Sequence, residues 1–354
     1  MNETWWVDPS QLDQQQTEIL TATADVTLLI IGPPGSGKTN ILMLRANYVR
    51  PIGPRQLFLT FTRSLAEHLR SGPNVGRADQ IQREEISTFM GWARGMIKIH
   101  GGEIPDETGD FDIDRKSIVA VLQEIVLDQK LSQMYDVVFI DEVQDFWESE
   151  LQIIRSLSDR QNFAGDSRQR IWRHREGLKT AAAMADETVE LVRHYRIGEN
   201  ICSYADQILP PKTDQAPLIE GCNYPERLRP SSVEILSCPS IDEAIDVCIG
   251  KLKEQLRYIT DEPIGIIGPY NDALDDFMKK VQSDPDLSEI TVRQKIKDYH
   301  EYDQNSRVRV MTVHSAKGSE FRAVHLLEGE AFRVRPISHD ARPSLRTRIM
   351  TAAA

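Results

Sequence analysis

The sequence predicts an α/β protein of two lobes, each built on parallel strands with crossover helices. Three observations predict it. Short runs rich in Val, Ile and Leu alternate with amphipathic helical stretches along the chain, and that order requires crossovers and parallel pairing. A glycine-rich octapeptide sits between one such run and one such helix. A length of 354 residues suggests about two domains.

The elements follow in order. Residues 1–25 are polar. Val26 to Ile31 is an apolar, β-branched run that reads as a buried strand. The octapeptide comes next, and a helical pattern follows from Ile41. A second strand covers Gln56 to Phe61, with a helix from Ser64. Residues 101–114 are rich in Gly, Asp, Glu and Pro and predict an exposed loop. Ile118, Val121, Leu122, Ile125 and Val126 share one helical face within Ile118 to Leu131. Val137 to Ile140 is a short buried strand, Phe163 and Ala164 end another, and Val189 to Val192 is a fourth.

A second block begins there. The proline-bearing stretch from Leu209 to Pro230 reads as loop. Strands are predicted at Val233–Leu236, Ile264–Ile267, Val308–Val313 and Ala323–Leu327, with helices at Ile241–Leu256 and Asn271–Val281. The division is set at residues 1–188 and 189–354, with a small insertion at about 91–134 of the first lobe.

Composition narrows the class. Hydrophobic residues are 40% and charged residues 27%, a globular profile. No apolar run approaches the roughly 20 residues that span a bilayer, and the N-terminus has neither a basic start nor an apolar core. Cys202, Cys222, Cys238 and Cys248 lack C-x-x-C spacing, so neither a zinc site nor a disulfide framework is indicated. Reduced thiols and a cytoplasmic location are the expectation. A net charge of −12 argues against coating nucleic acid through a basic surface. It leaves room for a local groove, and Arg168, Arg170, Arg173 and Arg175 cluster within eight positions.

Two motifs carry the chemistry. Gly32, Pro33, Pro34, Gly35, Ser36, Gly37, Lys38 and Thr39 form a complete G-x-x-x-x-G-K-[ST] phosphate loop. Gly35 and Gly37 let backbone amides turn toward phosphate oxygens, and the following helix N-terminus adds partial positive charge. Lys38 can reach the β- and γ-phosphates of ATP, and Thr39 can offer its hydroxyl to Mg²⁺. Further on, the strand Val137 to Ile140 ends in Asp141 and Glu142. Asp141 suits Mg²⁺, and Glu142 suits polarisation of an attacking water, which together supply what phosphoryl transfer needs.

Asp141-Glu-Val-Gln144-Asp145 resembles motif II of superfamily 1 helicases of the UvrD/Rep type, and other motifs of that family occur in order. The resemblance spans roughly residues 11–325. It implies two RecA-like P-loop NTPase lobes with a nucleotide cleft between them. It implies ATP and Mg²⁺ as cofactors, single-stranded DNA as partner and 3′→5′ movement. Leu12 to Gln16 is similar to the Q motif, which would put Gln16 on adenine. Leu59 to Arg63 resembles motif Ia, with Phe61 facing the strand, and Ile86 to Phe89 resembles motif Ib, with Thr88 there. Ala164 to Trp172 resembles motif III, where Gln169 would sense the γ-phosphate and Trp172 would stack on a base. His194-Tyr195-Arg196 resembles motif IV, with Tyr195 on adenine and Arg196 as an arginine finger. Met311 to Phe321 resembles motif V, with Thr312 and His314 at the DNA backbone and Glu320 at the ribose or the lobe interface.

The chain departs from that pattern in places. Asn40 stands where many relatives carry an arginine that covers adenine, Met90 where a histidine is frequent, and His174 where a tryptophan stacks on the strand. About 50 residues separate Phe89 from Asp141, and about 25 separate Val281 from Val308, so large inserted subdomains are not expected. The expected motif VI arginine is not reached before Ala354, so either the chain is cut short inside a helix, which is the expectation, or Arg346 or Arg348 substitutes, or the finger is missing. The leading expectation is an ATP-dependent DNA helicase or translocase. A second is a helicase-like ATPase subunit that senses DNA or nucleotide and controls a partner nuclease. A third is a P-loop ATPase with no nucleic-acid role, against which Phe61, Trp172 and motif V speak.

Overall fold

The computed structural model describes residues 6–166, 175–211, 215–295, 306–329 and 347–353. The chain forms two compact units that divide between His194 and Tyr195.

The first unit begins with α1 (Gln14–Thr21), then β1 (Leu28–Ile31) and α2 (Lys38–Val49). β2 (Gln56–Thr60), α3 (Arg63–Arg70) and β3 (Ile86–Thr88) follow, then α4 (Phe89–Ile99) and α5 (Phe111–Asp128). β4 (Val137–Ile140), α6 (Glu148–Leu157), β5 (Gln161–Gly165), α7 (Gly177–Met184) and β6 (Glu187–Glu190) complete it. The strands form one sheet in the order β3-β2-β4-β5-β1-β6, and every pairing is parallel.

Alternation along the strands builds two cores. Leu29, Leu57, Leu59, Val138 and Ile140 face a cluster that takes in α4, α5 and α6. Their neighbours Ile30, Phe58, Val137 and Phe139 face the other cluster, with α1, α2 and α3. A sheet covered on both faces favours strands apolar at every position, which is why β1 and β4 read as unbroken apolar runs. Because all six strands are parallel, each loop that follows a strand emerges at the same end of the sheet. The phosphate loop, Phe61, Asp141 with Glu142, and Asp166 all lie at that end.

The second unit begins with α8 (Glu199–Ile208) and β7 (Ser232–Cys238). α9 (Ile241–Gln255), β8 (Ile264–Gly268), α10 (Asn271–Gln282) and β9 (Thr291–Arg293) follow. β10 (Val308–Thr312), α11 (Val313–Ala316), β11 (Ala323–Leu326) and β12 (Thr347–Ala353) close the unit. Its sheet runs β7-β12-β11-β8-β10-β9. α9 and α10 pack Ala244, Cys248, Leu274 and Phe277 against Ile264, Ile266, Val308 and Val310.

Three expectations are corrected. β6 pairs with β1, so it belongs to the first unit, and the division falls after His194 rather than after residue 188. The loop expected over 101–114 ends earlier, because Asp110 caps α5 by accepting from the N–H groups of Asp112 and Ile113. Its first turn alternates exposed Phe111 and Ile113 with Asp112 and Asp114, so helical apolar spacing shows only from Ile118 on. The last segment, read as helix, is strand β12, antiparallel to both β7 and β11. Alanine favours helix, but two flanking strands offer a full ladder of backbone partners, and pairing prevails.

Candidate nucleotide and strand-contact sites

The phosphate loop takes its shape from its glycines. Gly35 and Gly37 have φ of 74° and 84°, a region L side chains rarely enter. A Cβ on Gly32 would lie 2.9 Å from both Leu191 Cβ and Ser36 Oγ. Lys38 folds back along the loop and donates to the carbonyls of Gly32 and Pro33, each at 2.8 Å. Its ammonium is 4.0 Å from Asp166 at the end of β5. Ser36 Oγ is buried without a hydrogen-bond partner. An orphaned hydroxyl and an ammonium held by loop carbonyls fit a polyphosphate, which would supply acceptors to both.

Thr39 donates its hydroxyl proton to Asp141 Oδ2 at 2.7 Å, and Asp141 is 1% exposed. Burial, and then the charge of Glu142, push its carboxyl up to about 7, against the hydrogen bonds from Thr39 and the Glu142 N–H and the charge of Lys38. A hydroxyl and a buried carboxylate that resists ionisation fit a divalent cation, which would restore the charged form.

Glu142 adopts φ 55°, uncommon for a residue with a Cβ and concentrated at functional sites. Its N–H donates to Asp141 Oδ1 at 2.9 Å. Its Oε2 accepts from the Gln144 amide, and Gln144 Oε1 accepts from the Asp166 N–H at 3.0 Å. Gln144 thus ties the carboxylate loop after β4 to the end of β5. Sequence reasoning gave Gln144 and Asp166 no role. The signal was a buried amide between two strand ends, which spacing alone does not reveal.

Gln16 reaches the loop from α1. Its Nε2 donates to Ser36 O at 3.1 Å, and its Oε1 accepts from Asp13 N–H at 3.1 Å. Both ends of the amide are engaged, so in this structure Gln16 braces the phosphate loop. Arg45 on α2 holds α1 in place: it donates to the carbonyls of Ile19, Leu20, Ala22 and Thr23 and to Asn162 Oδ1. Asn40 is 1% exposed and donates to Val7 O at 3.4 Å.

The residues expected at a nucleic-acid strand are placed differently. Phe61 is half-buried, and the guanidiniums of Arg115 and Arg175 lie over its ring at 4.8 and 5.0 Å from the centroid. Phe111 of α5 meets it edge-on, with centroids 6.3 Å apart. The ring is held by the protein's own cations. Arg115 is itself buried in a bidentate pair with Glu150, at 2.5 and 2.7 Å. Arg175 donates to Asp145 O at 2.9 Å and to Asp112 Oδ1 at 2.8 Å. Burial and the charge of Arg115 hold its guanidinium below the usual range. Thr88 spends its hydroxyl as the cap of α4, accepting from Gly91 N–H at 3.1 Å. Gln169, Trp172 and His174, with Arg168, Arg170 and Arg173, lie outside the described residues.

In the second unit Tyr195 is half-buried, and Arg196 pairs through Nη1 with Glu320 Oε1. Thr312 caps α11, accepting from Ser315 N–H at 3.4 Å. His314 is exposed on the same short helix.

The strand–loop–helix around Lys38 and the carboxylates after β4 define the first unit as a P-loop nucleotide-binding domain. Residues 15–175 match a family model described as an AAA domain, a segment that contains both. No curated protein matches the chain. Among solved structures, the Pif1 helicase from Candida albicans is similar at 16% identity and a TM-score of 0.36, over 56% of this chain and 43% of that one. The Hef helicase domain from Pyrococcus furiosus is similar at 10% identity and a TM-score of 0.36, over 89% and 88%. The chain thus spans less than half the length of the Pif1 structure. Among the described residues, no helix is long and apolar enough to cross a membrane.

Proposed function

We propose that this chain is an ATP-dependent DNA helicase or translocase that moves 3′→5′ on single-stranded DNA. The observation that carries it is the hydrogen bond between Thr39 and Asp141, with Lys38 and Glu142 beside it. In this reading Gly32 to Thr39 hold the phosphates, and Thr39 and Asp141 hold Mg²⁺, which supplies charge neutralisation at the γ-phosphate. Glu142 orients the attacking water, and Arg196, paired at rest with Glu320, is the transition-state arginine. Asn40 and Tyr195 serve the base, and Gln16 steadies the phosphate loop from α1. Gln169 senses the γ-phosphate, and Trp172, His174, Thr88, Thr312 and His314 serve the strand.

Steady-state ATPase with and without single-stranded DNA tests it. DNA should raise the rate at least tenfold, and Lys38→Ala should abolish hydrolysis while leaving the fold intact. Displacement of streptavidin from one end of a biotinylated strand, but not the other, reads the direction. A rate indifferent to DNA would overturn the translocase reading.

One observation favours a second reading, a helicase-like ATPase subunit that senses DNA or nucleotide and controls a partner nuclease. Phe61 is packed under Arg115, Arg175 and Phe111, which leaves less aromatic surface for gripping a strand. That form should hydrolyse ATP with little displacement activity until its partner is added.

A further inference from the structure

Four cysteines occur in the chain, and two of them converge on one backbone carbonyl. Cys202 lies on α8 and is buried; Cys222 follows the turn Leu218–Gly221 and is half-exposed. Cys202 Sγ donates to Ile197 O at 3.5 Å, and Cys222 Sγ donates to the same oxygen at 3.2 Å. The two sulfurs lie within 4.8 Å of each other. The approach is built: Asp206 of α8 accepts from Leu218 N–H at 3.0 Å and from Ile219 N–H at 3.3 Å, which fastens the turn bearing Cys222 to the helix bearing Cys202. Cys238 and Cys248 are buried in the packing of β7 and α9 and supply internal controls.

Ile197 follows directly on Tyr195 and Arg196. Its carbonyl is held by two S–H groups, and a disulfide has none. We propose that Cys202 and Cys222 are a thiol–disulfide pair whose closure withdraws both hydrogen bonds from Ile197 and loosens the segment that carries Tyr195 and Arg196. The effect on turnover rests on the role proposed above for Arg196; formation of the bond does not.

The chemistry balances with a low-molecular-weight disulfide as oxidant. The Cys222 thiolate attacks one sulfur of oxidised glutathione, forming a mixed disulfide and releasing one glutathione thiolate. Cys202 then loses its proton and attacks the Cys222 sulfur, forming the protein disulfide and releasing the second. Two protein thiols are oxidised and one small disulfide is reduced. The half-exposed Cys222 is the entry point. Burial pushes the Cys202 thiol up, so the second step is the slow one and quickens as pH rises.

The test uses the whole chain, fully reduced and then incubated with oxidised glutathione at pH 8. Peptide mapping should find Cys202 linked to Cys222, with Cys238 and Cys248 as thiols. The DNA-stimulated ATPase rate should fall about fivefold or more and return with dithiothreitol. Cys222→Ser keeps a donor for Ile197 but cannot close the bond, and its rate should not respond to oxidant; Cys202→Ser is the second check. Mapping that finds only glutathione on Cys222, or no linkage, overturns the pair. A linkage with an unchanged rate overturns its coupling to Arg196. A reduced chain that never hydrolyses ATP sinks the function reading instead, and mapping alone then decides the disulfide.

Discussion

Thr39 and Asp141, 102 residues apart in sequence, share a hydroxyl-to-carboxylate hydrogen bond of 2.7 Å. It joins the first turn of α2 to the end of β4, across the intervening strand β5. The pair is the point where a cation would enter, and it stands on a carboxyl that burial makes reluctant to ionise.

That reluctance separates stability from activity. The folded chain holds Asp141 at about 7, against an ordinary 3.8. Below pH ~4 the side chain is protonated in both states and costs nothing. As pH rises from about 4 to about 7 the unfolded chain ionises first, and stability falls. Asparagine has no proton to lose. Asp141→Asn should therefore melt close to wild type at pH 4 but be more stable by about 1–2 kcal/mol at pH 8. Its Mg²⁺-dependent ATPase should fall about 100-fold. Measured with EDTA present, a variant less stable than wild type at pH 8 would show that the fold itself satisfies the carboxylate without a cation.

The parts of this site legible in sequence were those defined by contiguous residues. The octapeptide ending at Thr39 and the apolar run ending at Asp141 announce a loop and a strand tip, and the parallel sheet follows from alternation. What joins them was not legible. The amide of Gln144 between Glu142 and Asp166 is a tertiary fact with no periodic signal. The same holds for Arg115, which looks like a solvated cation in a helix of mixed polarity yet lies buried against Glu150. Phe61 was read from its position after a strand, and the two arginines over its ring come from 54 and 114 residues away (115 − 61 and 175 − 61). The final strand was missed because local propensity pointed to helix while its partners are far off in sequence.

Arg45 is the brace that sets Gln16 against the phosphate loop. It is fully buried, and its five hydrogen bonds include four carbonyls at the end of α1. Burial drives its guanidinium down to about 10, so it remains charged at neutral pH. Arg45→Met keeps the stem but leaves those carbonyls without a partner. The cost should be about 3–5 kcal/mol, read as a lower urea midpoint. Arg45→Lys should recover only part of it, since an ammonium has three donors and no planar fork.

His325 on β11 is a buried imidazole whose protonation should weaken the second unit in acid. It is fully buried, shares a 2.8 Å hydrogen bond with Gln255 on α9, and is driven by burial, and then by Lys251, down to about 4. The unfolded chain takes up a proton near 6.5, whereas the folded one resists until about 4. The contribution is thus complete above pH ~6.5 and is lost as pH falls toward 4, by about 3 kcal/mol at most. His325→Gln removes the titration. Denaturation of the two proteins across pH 4–8 should give curves that diverge below about 6.5, with wild type falling faster. Parallel curves would mean that the imidazole takes up its proton in the fold at the same pH as in the unfolded chain, near 6.5.

Phe61 decides between a residue that grips a strand and one that holds the fold. Its ring sits under Arg115 and Arg175 and against Phe111. Each cation–π contact contributes about 0.5–1 kcal/mol when partly exposed, and loss of the ring adds a packing term. Phe61→Ala should lower stability by about 2–3 kcal/mol on that account. Phe61→Leu should restore the packing term but not the cation contacts, and so fall between. A strand-gripping ring predicts the opposite pattern. The melt would stay where it is, while the DNA concentration that half-saturates the ATPase would rise about tenfold, in line with one lost base stack. Thermal melts and DNA titrations on the same three proteins separate the two outcomes, and an unshifted melt with weakened DNA response would return Phe61 to the strand.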